Sequence, residues 1–292
     1  MNKKYLLALA ILLTSISEYA VAQLNPLGAQ YYNNQYLANP AFAGHSEGLK
    51  LNGAYRKIGA SLPGAPTIQS ITADYGFSKV GVGINVNNET AGLLRDTRVL
   101  ASYAYHIPFN KEGTRLSFGL SLGLLSQGVN RDDISGNPDD IAIDEENRSR
   151  NYFDGDFGTA FTVGGLTLQA AVPNLKNFFK KDDIKVANVV TFFSAASYRI
   201  PLNNGMGLEP KVTYRGVKGF DDMLDVGAQF SLADQKLMFM GMYHSNESAS
   251  FGFGVDVKKR YLLSGIYTTQ TAALGSQTGG SFELNLRVAF GK

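Results

Sequence analysis

The sequence predicts an all-β protein, a transmembrane antiparallel outer-membrane β-barrel of about fourteen strands. Three observations carry that expectation. The last stretch, Gly280 to Lys292, places Phe282, Leu284, Leu286, Val288 and Phe290 on one face of an extended strand and Ser281, Glu283, Asn285, Arg287 and Ala289 on the other. Side chains alternate across a strand with period two, so one face wants hydrocarbon and the other tolerates water and charge. The same alternation recurs through most of the chain. The connections also alternate short and long, which is the layout of outer-membrane barrels with short periplasmic turns and longer outer loops.

The chain has 292 residues, a formal net charge of +2, no Cys, no Trp and 32 Gly. That charge balance argues against a nucleic-acid partner. Without Cys there is no disulfide and no thiolate metal site. Lys3 and Lys4, the apolar run Tyr5 to Leu13 and the small-x-small site Ala20-Val21-Ala22 predict a secretory signal peptide over residues 1–22. No later run approaches the ~20 apolar residues that a spanning helix needs. A membrane-spanning form must therefore be a closed barrel. The expected organisation is a signal peptide, an N-terminal periplasmic segment over 23–47, and a barrel over 48–292.

Residues 23–47 are aromatic, Asn-rich and turn-prone, and Asn39-Pro40 biases the chain toward an extended or turn geometry. This segment is expected at the periplasmic mouth, with aromatics either at the interface or packed into the lumen. From Gly48 onward, seven hairpins follow. Outward residues include Leu51 and Tyr55, then Ile71, Ala73, Tyr75 and Phe77, then Val80 to Val86, then Val99 to Ile107, and then Leu116 to Leu124. After a polar, acid-rich interruption from Gly128 to Asn151, Phe153, Phe157, Phe161 and Val163 resume the pattern. Later strands carry Leu166 to Val172, Phe192 to Ile200, Leu208 to Tyr214, Leu224 to Leu232, Leu237 to Tyr243, Phe251 to Val257 and Tyr261 to Thr269. Short turns are expected near 78, 110, 164, 203, 234 and 259, and longer loops near 62, 92, 140, 181, 219, 246 and 275.

The inward face is charged in both signs. It includes Lys50, Arg56, Asp74, Arg98, His106, Asp154, Asp156, Arg199, Glu209, Lys211, Arg215, Asp225, Asp256, Lys258, Glu283 and Arg287. Unpaired charge in a confined lumen is costly, so these groups are expected to pair and to leave a narrow or plugged interior. A diffusion channel or porin is the alternative reading.

Gly119-Leu120-Ser121-Leu122-Gly123 matches the G-x-S-x-G nucleophile pattern, but that chemistry needs a strand-to-helix elbow and this match lies inside an alternating strand. The three His, at 45, 106 and 244, are far apart in sequence and accompany no nucleophile signature. The acidic run from Asp132 to Glu146 lacks EF-hand spacing and reads as a solvated loop. Neither Gly81-x-Gly83 nor Gly252-x-Gly254 precedes a helix, so neither is a nucleotide loop. No catalytic, metal or cofactor residues are expected.

The stretch from Gln30 to Gly44, QYYNNQYLANPAFAG, resembles the N-terminal signature of the PorP/SprF family. The resemblance extends through Arg56, Gly64-Ala65-Pro66, Gly81-x-Gly83, Asn87-Asn88 with Gly92, and Tyr103-x-Tyr105. It implies an outer-membrane component of the type IX secretion system of Bacteroidetes, with no catalytic role and a possible link to gliding motility. Implied partners are periplasmic secretion-ring proteins or lipoproteins and a secreted cargo such as an adhesin, in addition to outer-membrane lipid. Contacts are expected at Asn39, Pro40, Ala41, Phe42 and Gly44, and on the outer loop at Asp139 and Asp140.

Overall fold

The computed structural model describes residues 28–59, 64–110, 113–129, 150–176, 190–217, 222–269 and 279–291. The expected signal peptide, Asp139 and Asp140 lie outside the described residues. Among the described residues, three short 3-10 turns (Gly28–Tyr31, Gln35–Leu37 and Pro40–Phe42) precede the strands. The strands are β1 (Gly48–Ile58), β2 (Thr67–Phe77), β3 (Val80–Ala91), β4 (Leu94–Pro108), β5 (Arg115–Val129), β6 (Arg150–Val163), β7 (Leu166–Val172), β8 (Val190–Tyr198), β9 (Ile200–Pro201), β10 (Gly207–Val217), β11 (Met223–Leu232), β12 (Leu237–His244), β13 (Ser248–Val257), β14 (Tyr261–Thr268) and β15 (Ser281–Phe290).

β8 and β9 are one strand broken at Arg199, and both pair with β10. Counted that way the sheet has 14 strands, each antiparallel to its chain neighbours. β1 pairs with β15 from Leu49↔Phe290 to Ile58↔Ser281, and this ladder closes the barrel. The closing strand thus meets the first strand over its whole length, which leaves no sheet edge to satisfy in lipid.

The burial pattern is that of a protein turned inside out. Ile71, Leu122, Phe153, Leu263 and Leu284 are exposed on the outer wall. Asp74, Asp154, Lys211, Arg215, Asp225 and Glu283 are buried on the inner wall. A contiguous apolar surface of this kind is stable only against hydrocarbon. Exposed aromatics gather toward the rims: Phe77, Tyr105, Tyr198 and Tyr261 at one, and Tyr214, Tyr243, Tyr267 and Phe282 at the other.

Two expected long connections are tight turns. β3 and β4 stay paired out to Ala91↔Leu94, so Gly92-Leu93 alone joins them. β12 and β13 are joined by Ser245–Glu247. Residues such as Asn88, Glu89, Thr90 and Asp96 are polar on both faces, so the lipid-facing alternation stops there while the hydrogen-bond ladder continues. Polarity in this stretch marks strand beyond the hydrocarbon, not loop. Lys258 is also not a lumen-facing strand residue, and Arg199 reaches the lumen from the break between β8 and β9 rather than from within a strand. The Arg199 side chain is largely exposed at the β8–β9 break, and Lys258 lies in the β13–β14 turn at φ 59°.

Candidate functional site

Of the two placements expected for the aromatics of the N-terminal segment, the described residues 28–44 take the lumen. The segment runs through the lumen. At its start, Gly28 packs against the Arg56–Glu283 pair, far along β1 from Gly48. At its end, Gly44 lies against Gly76 and Gly81, beside the short β2–β3 turn. Tyr31, Asn34, Tyr36, Asn39, Pro40, Ala41, Phe42, Ala43 and Gly44 are all buried.

Local chemistry shapes the middle of this segment. Asn39 precedes proline and is therefore extended, at φ −150° and ψ 114°. Pro40 opens the following 3-10 turn, a position where its missing N–H costs nothing. The Asn39 side-chain oxygen accepts from Ala41 N–H at 3.0 Å and caps that turn. Its amide nitrogen lies within reach of Thr159 O at 3.1 Å, Gln169 Oε1 at 3.3 Å and Ala170 O at 3.3 Å. One side chain therefore ties the turn to β6 and β7.

Other anchors surround the segment. Asn34 donates to Thr72 Oγ1 at 3.1 Å, and Asn33 to Ser264 at 3.0 Å. Tyr36 donates to Ser102, which bonds Ser121, each at 2.6 Å. His106 Nε2 lies 3.1 Å from Ala43 O, and its Nδ1 lies 2.9 Å from Ser117 Oγ. The carbonyl fixes the tautomer: Nε2 donates to Ala43 and Nδ1 accepts from Ser117. Gly44 N–H donates to Asp74 at 3.0 Å. The buried Lys211 ammonium donates to Tyr31 O and lies 4.5 Å from the centre of the Tyr32 ring.

The wall makes room by omitting side chains. A Cβ at Gly119 would stand 2.2 Å from the Pro40 carbonyl carbon, and one at Gly81 would stand 2.0 Å from Ala43 O. Backbone meets backbone at both places, so nothing flexible can yield. Ser121 of the G-x-S-x-G match thus belongs to the seat of the N-terminal segment and not to a nucleophile elbow.

A second cluster brings together residues that the sequence left apart. Asp225 Oδ1 lies 2.8 Å from His244 Nδ1, and His244 Nε2 lies 2.8 Å from Ser250 Oγ. That order of bonds is the order in a Ser-His-Asp triad. The surroundings are not those of a nucleophile. Asp225, His244 and Ser250 are all 0% exposed, and the Ser250 hydroxyl is also bonded to Thr268 at 2.7 Å. Tyr31 donates to Asp225 at 2.8 Å and stacks on His244, with ring centres 5.9 Å apart. Thr213 and Arg215 bond the same carboxylate. Ser250 has no exposed surface, and the network anchors Tyr31 to β10–β14.

Several charges on the wall pair, as expected for a confined lumen. Arg98 binds Asp154 at 2.8 Å and Asp156 at 2.6 Å, reaching across β5. Arg56 faces Glu283 in the closing ladder, with Nε 2.8 Å from Oε2. Arg287 binds Asp256 at 2.8 Å. At the short-turn end, His45 packs against Phe42 and His106, and Arg115 contacts both the carbonyl and the ring of His45. Burial, reinforced by the charge of Arg115, holds the His45 imidazole well below its ordinary pKa.

The structure brings Asn39, Pro40, Ala41, Phe42 and Gly44 together inside the barrel, where all five are buried. Their partners Gly81, Gly119 and Gly158 were not legible as a site. The available signal was the presence of glycines at inward positions of neighbouring strands.

With this geometry in place, comparison with known proteins supplies the family. The description "Type IX secretion system membrane protein PorP/SprF" matches residues 20–288. The chain belongs to the PorP/SprF family. No curated protein matches it. Among solved structures, this family member is similar to the outer membrane protein Omp33 of Acinetobacter baumannii. The TM-score is 0.52 at 6% identity, over 85% of this chain and 100% of Omp33. It is also similar to the CymD monoaromatic hydrocarbon channel, with a TM-score of 0.54 at 11% identity, over 91% of this chain and 94% of that one. Identities this low establish a shared barrel fold and nothing further. Together, the family and the fold identify an outer-membrane protein of the type IX secretion system.

Proposed function

We propose that this PorP/SprF protein is a non-enzymatic barrel that assists secretion or surface anchoring of cargo by binding other proteins. The observation that supports this most directly is the lumen. Its centre is occupied by Pro40–Gly44, pressed against glycines of the wall and hydrogen-bonded on several sides. A barrel that spends its interior on holding its own N-terminus is built as a scaffold and not as a diffusion pore. The buried Asp225–His244–Ser250 network offers no reactive face, which supports a role without catalysis.

The partners proposed are periplasmic secretion-ring proteins or lipoproteins on one side and a secreted adhesin on the other. A contact through Asn39–Gly44 would require the segment to leave the lumen. Asp139 and Asp140 remain proposed contacts on the acidic stretch. The test is recovery of the protein from its own membrane in mild detergent, followed by mass spectrometry, alongside secretion and gliding assays in a deletion strain. Co-recovery of ring lipoproteins or one large adhesin, with loss of that cargo from the surface on deletion, supports the proposal. Recovery alone, with normal secretion and motility, rejects it.

A further inference from the structure

The short-turn end of the lumen contains a cavity of about 480 Å³ between the N-terminal segment and the wall. Its rim reaches the turn residues Gly113, Gly164 and Gly165. Its charged lining is Lys50, Arg115, Arg199 and Arg287 against Asp74 and Glu209. Two of the four cations have carboxylate partners. Arg199 lies 3.3 Å from Glu209, and Arg287 lies 2.8 Å from Asp256. Neither of the other two lies within 4.0 Å of a carboxylate among the described residues, although Lys50 faces Asp74 across the β1–β2 ladder. Lys50 donates to the Ser46 hydroxyl at 2.8 Å. Arg115 bonds only the carbonyl and the ring of His45. Asp74 is turned to the Gly44 N–H, and its charge reaches Lys50 only at longer range.

Everywhere else in this lumen the cations named above are matched. Arg98 has two carboxylates, and Arg56 has one in ladder register. Arg115 without a carboxylate and Lys50 with only a distant one, in a cavity that carries four cations against two carboxylates, make a site where an incoming carboxylate gains charge-assisted hydrogen bonds. The cavity is also much larger than one inorganic anion. Amide and hydroxyl side chains such as Asn33 and Thr162 line it beside the cations, and these suit peptide backbone. The two cations hang from separate points, one on β1 and one on β5, which favours several carboxylates along a flexible chain over one compact ion.

We propose that this vestibule binds an acidic peptide segment presented from the short-turn side of the barrel, by a protein partner. The inference deepens the scaffold reading above and rests on it for the identity of the partner's compartment. Its chemistry can be tested without any secretion assay. The purified full chain in detergent is titrated with a short fluorescent oligoglutamate peptide, with oligoserine of equal length as reference. The expected result is saturable binding of oligoglutamate alone, weakening as salt is raised. The combined substitution Lys50→Gln and Arg115→Gln is expected to raise Kd by roughly tenfold or more. Lys57→Gln, at the far end of β1, leaves Kd unchanged. Arg115→Lys keeps the charge and retains part of the affinity, which guards against a variant that merely disturbs the seat of His45.

No binding to the wild-type chain overturns the proposal, as does equal binding to the double variant. Displacement by inorganic phosphate at concentrations equal to the peptide's also overturns it, since the site would then recognise only a small anion. If the peptide binds as expected while deletion of the protein leaves secretion normal, the scaffold reading fails and the vestibule chemistry stands.

Discussion

A methyl group at Gly158 would stand 2.0 Å from Oδ1 of Asn39. The wall of β6 omits a side chain where the N-terminal segment places its capping amide. Gly158→Val should therefore unseat Asn39 while leaving the ladder of β5, β6 and β7 intact. Limited proteolysis of the folded barrel should cut the segment 28–47 several-fold faster in this variant, and in Gly119→Val, than in wild type. Unchanged cleavage would show that the segment has another way to sit.

Asn39→Ala tests the same contact from the other side. It removes the amide that donates to Thr159, Gln169 and Ala170 and the oxygen that caps Ala41 N–H, at a site that is 0% exposed. The expected cost is about 1–3 kcal/mol in the seating of the segment. In a planar bilayer the wild-type barrel should conduct little, and this variant should show larger or more frequent openings. Large steady conductance by the wild type would reverse the reading of the lumen as filled.

Arg98→Gln leaves the buried carboxylates Asp154 and Asp156 without their cation. Breaking a buried pair in this way costs about 3 kcal/mol or more. Denaturant unfolding in detergent should show it. Adding Asp154→Asn and Asp156→Asn in the same chain should recover much of the loss.

Ser250→Ala removes one hydroxyl from the Asp225–His244 network and should leave the barrel folded, with a small loss from His244 Nε2 and Thr268. A fluorophosphonate probe should label neither protein. Labelling of the wild type that disappears in the variant would show that Ser250 is reachable and reactive, and would end the non-catalytic assignment.

His45 makes the seating of the segment depend on pH. In place it is held neutral, first by burial and then by Arg115, His106, Lys50 and Arg199, so its pKa is depressed. Once released into water it takes up a proton below its ordinary pKa of about 6.5. The released state therefore binds more protons as pH falls through 6.5 toward the depressed value, and the seated state loses stability over that window. Hydrogen exchange of Ala43 and Gly44 should quicken between pH 7.5 and 5.5 in the wild type. The quickening should be blunted in His45→Asn, and an equal quickening in both chains would assign it to another group.

The strands were readable because each lipid-facing residue announces its neighbour two places on. Phe282, Leu284 and Leu286 are exposed and Glu283 and Asn285 are buried, as the alternation of this strand requires. The reading failed where that alternation stops for a reason other than a loop. Between Asn87 and Thr97 most side chains on both faces are polar and the apolar alternation breaks, so a continuous β3–β4 hairpin looked like a connection. It also failed where contacts are set by closure and not by spacing. Tyr31 meets Asp225, 194 residues away, and His244, 213 residues away.

By itself the sequence determined the barrel, its lipid face and most of the charges on its inner wall, because within a strand the pleat ties side-chain direction to residue parity whatever the neighbours are. Only the tertiary structure decided where residues 28–47 go. That segment has no repeating period, and its partners come from strands all around the ring. The glycines of β3, β5 and β6 that admit its backbone acquire a common purpose only when closure brings them to one cavity.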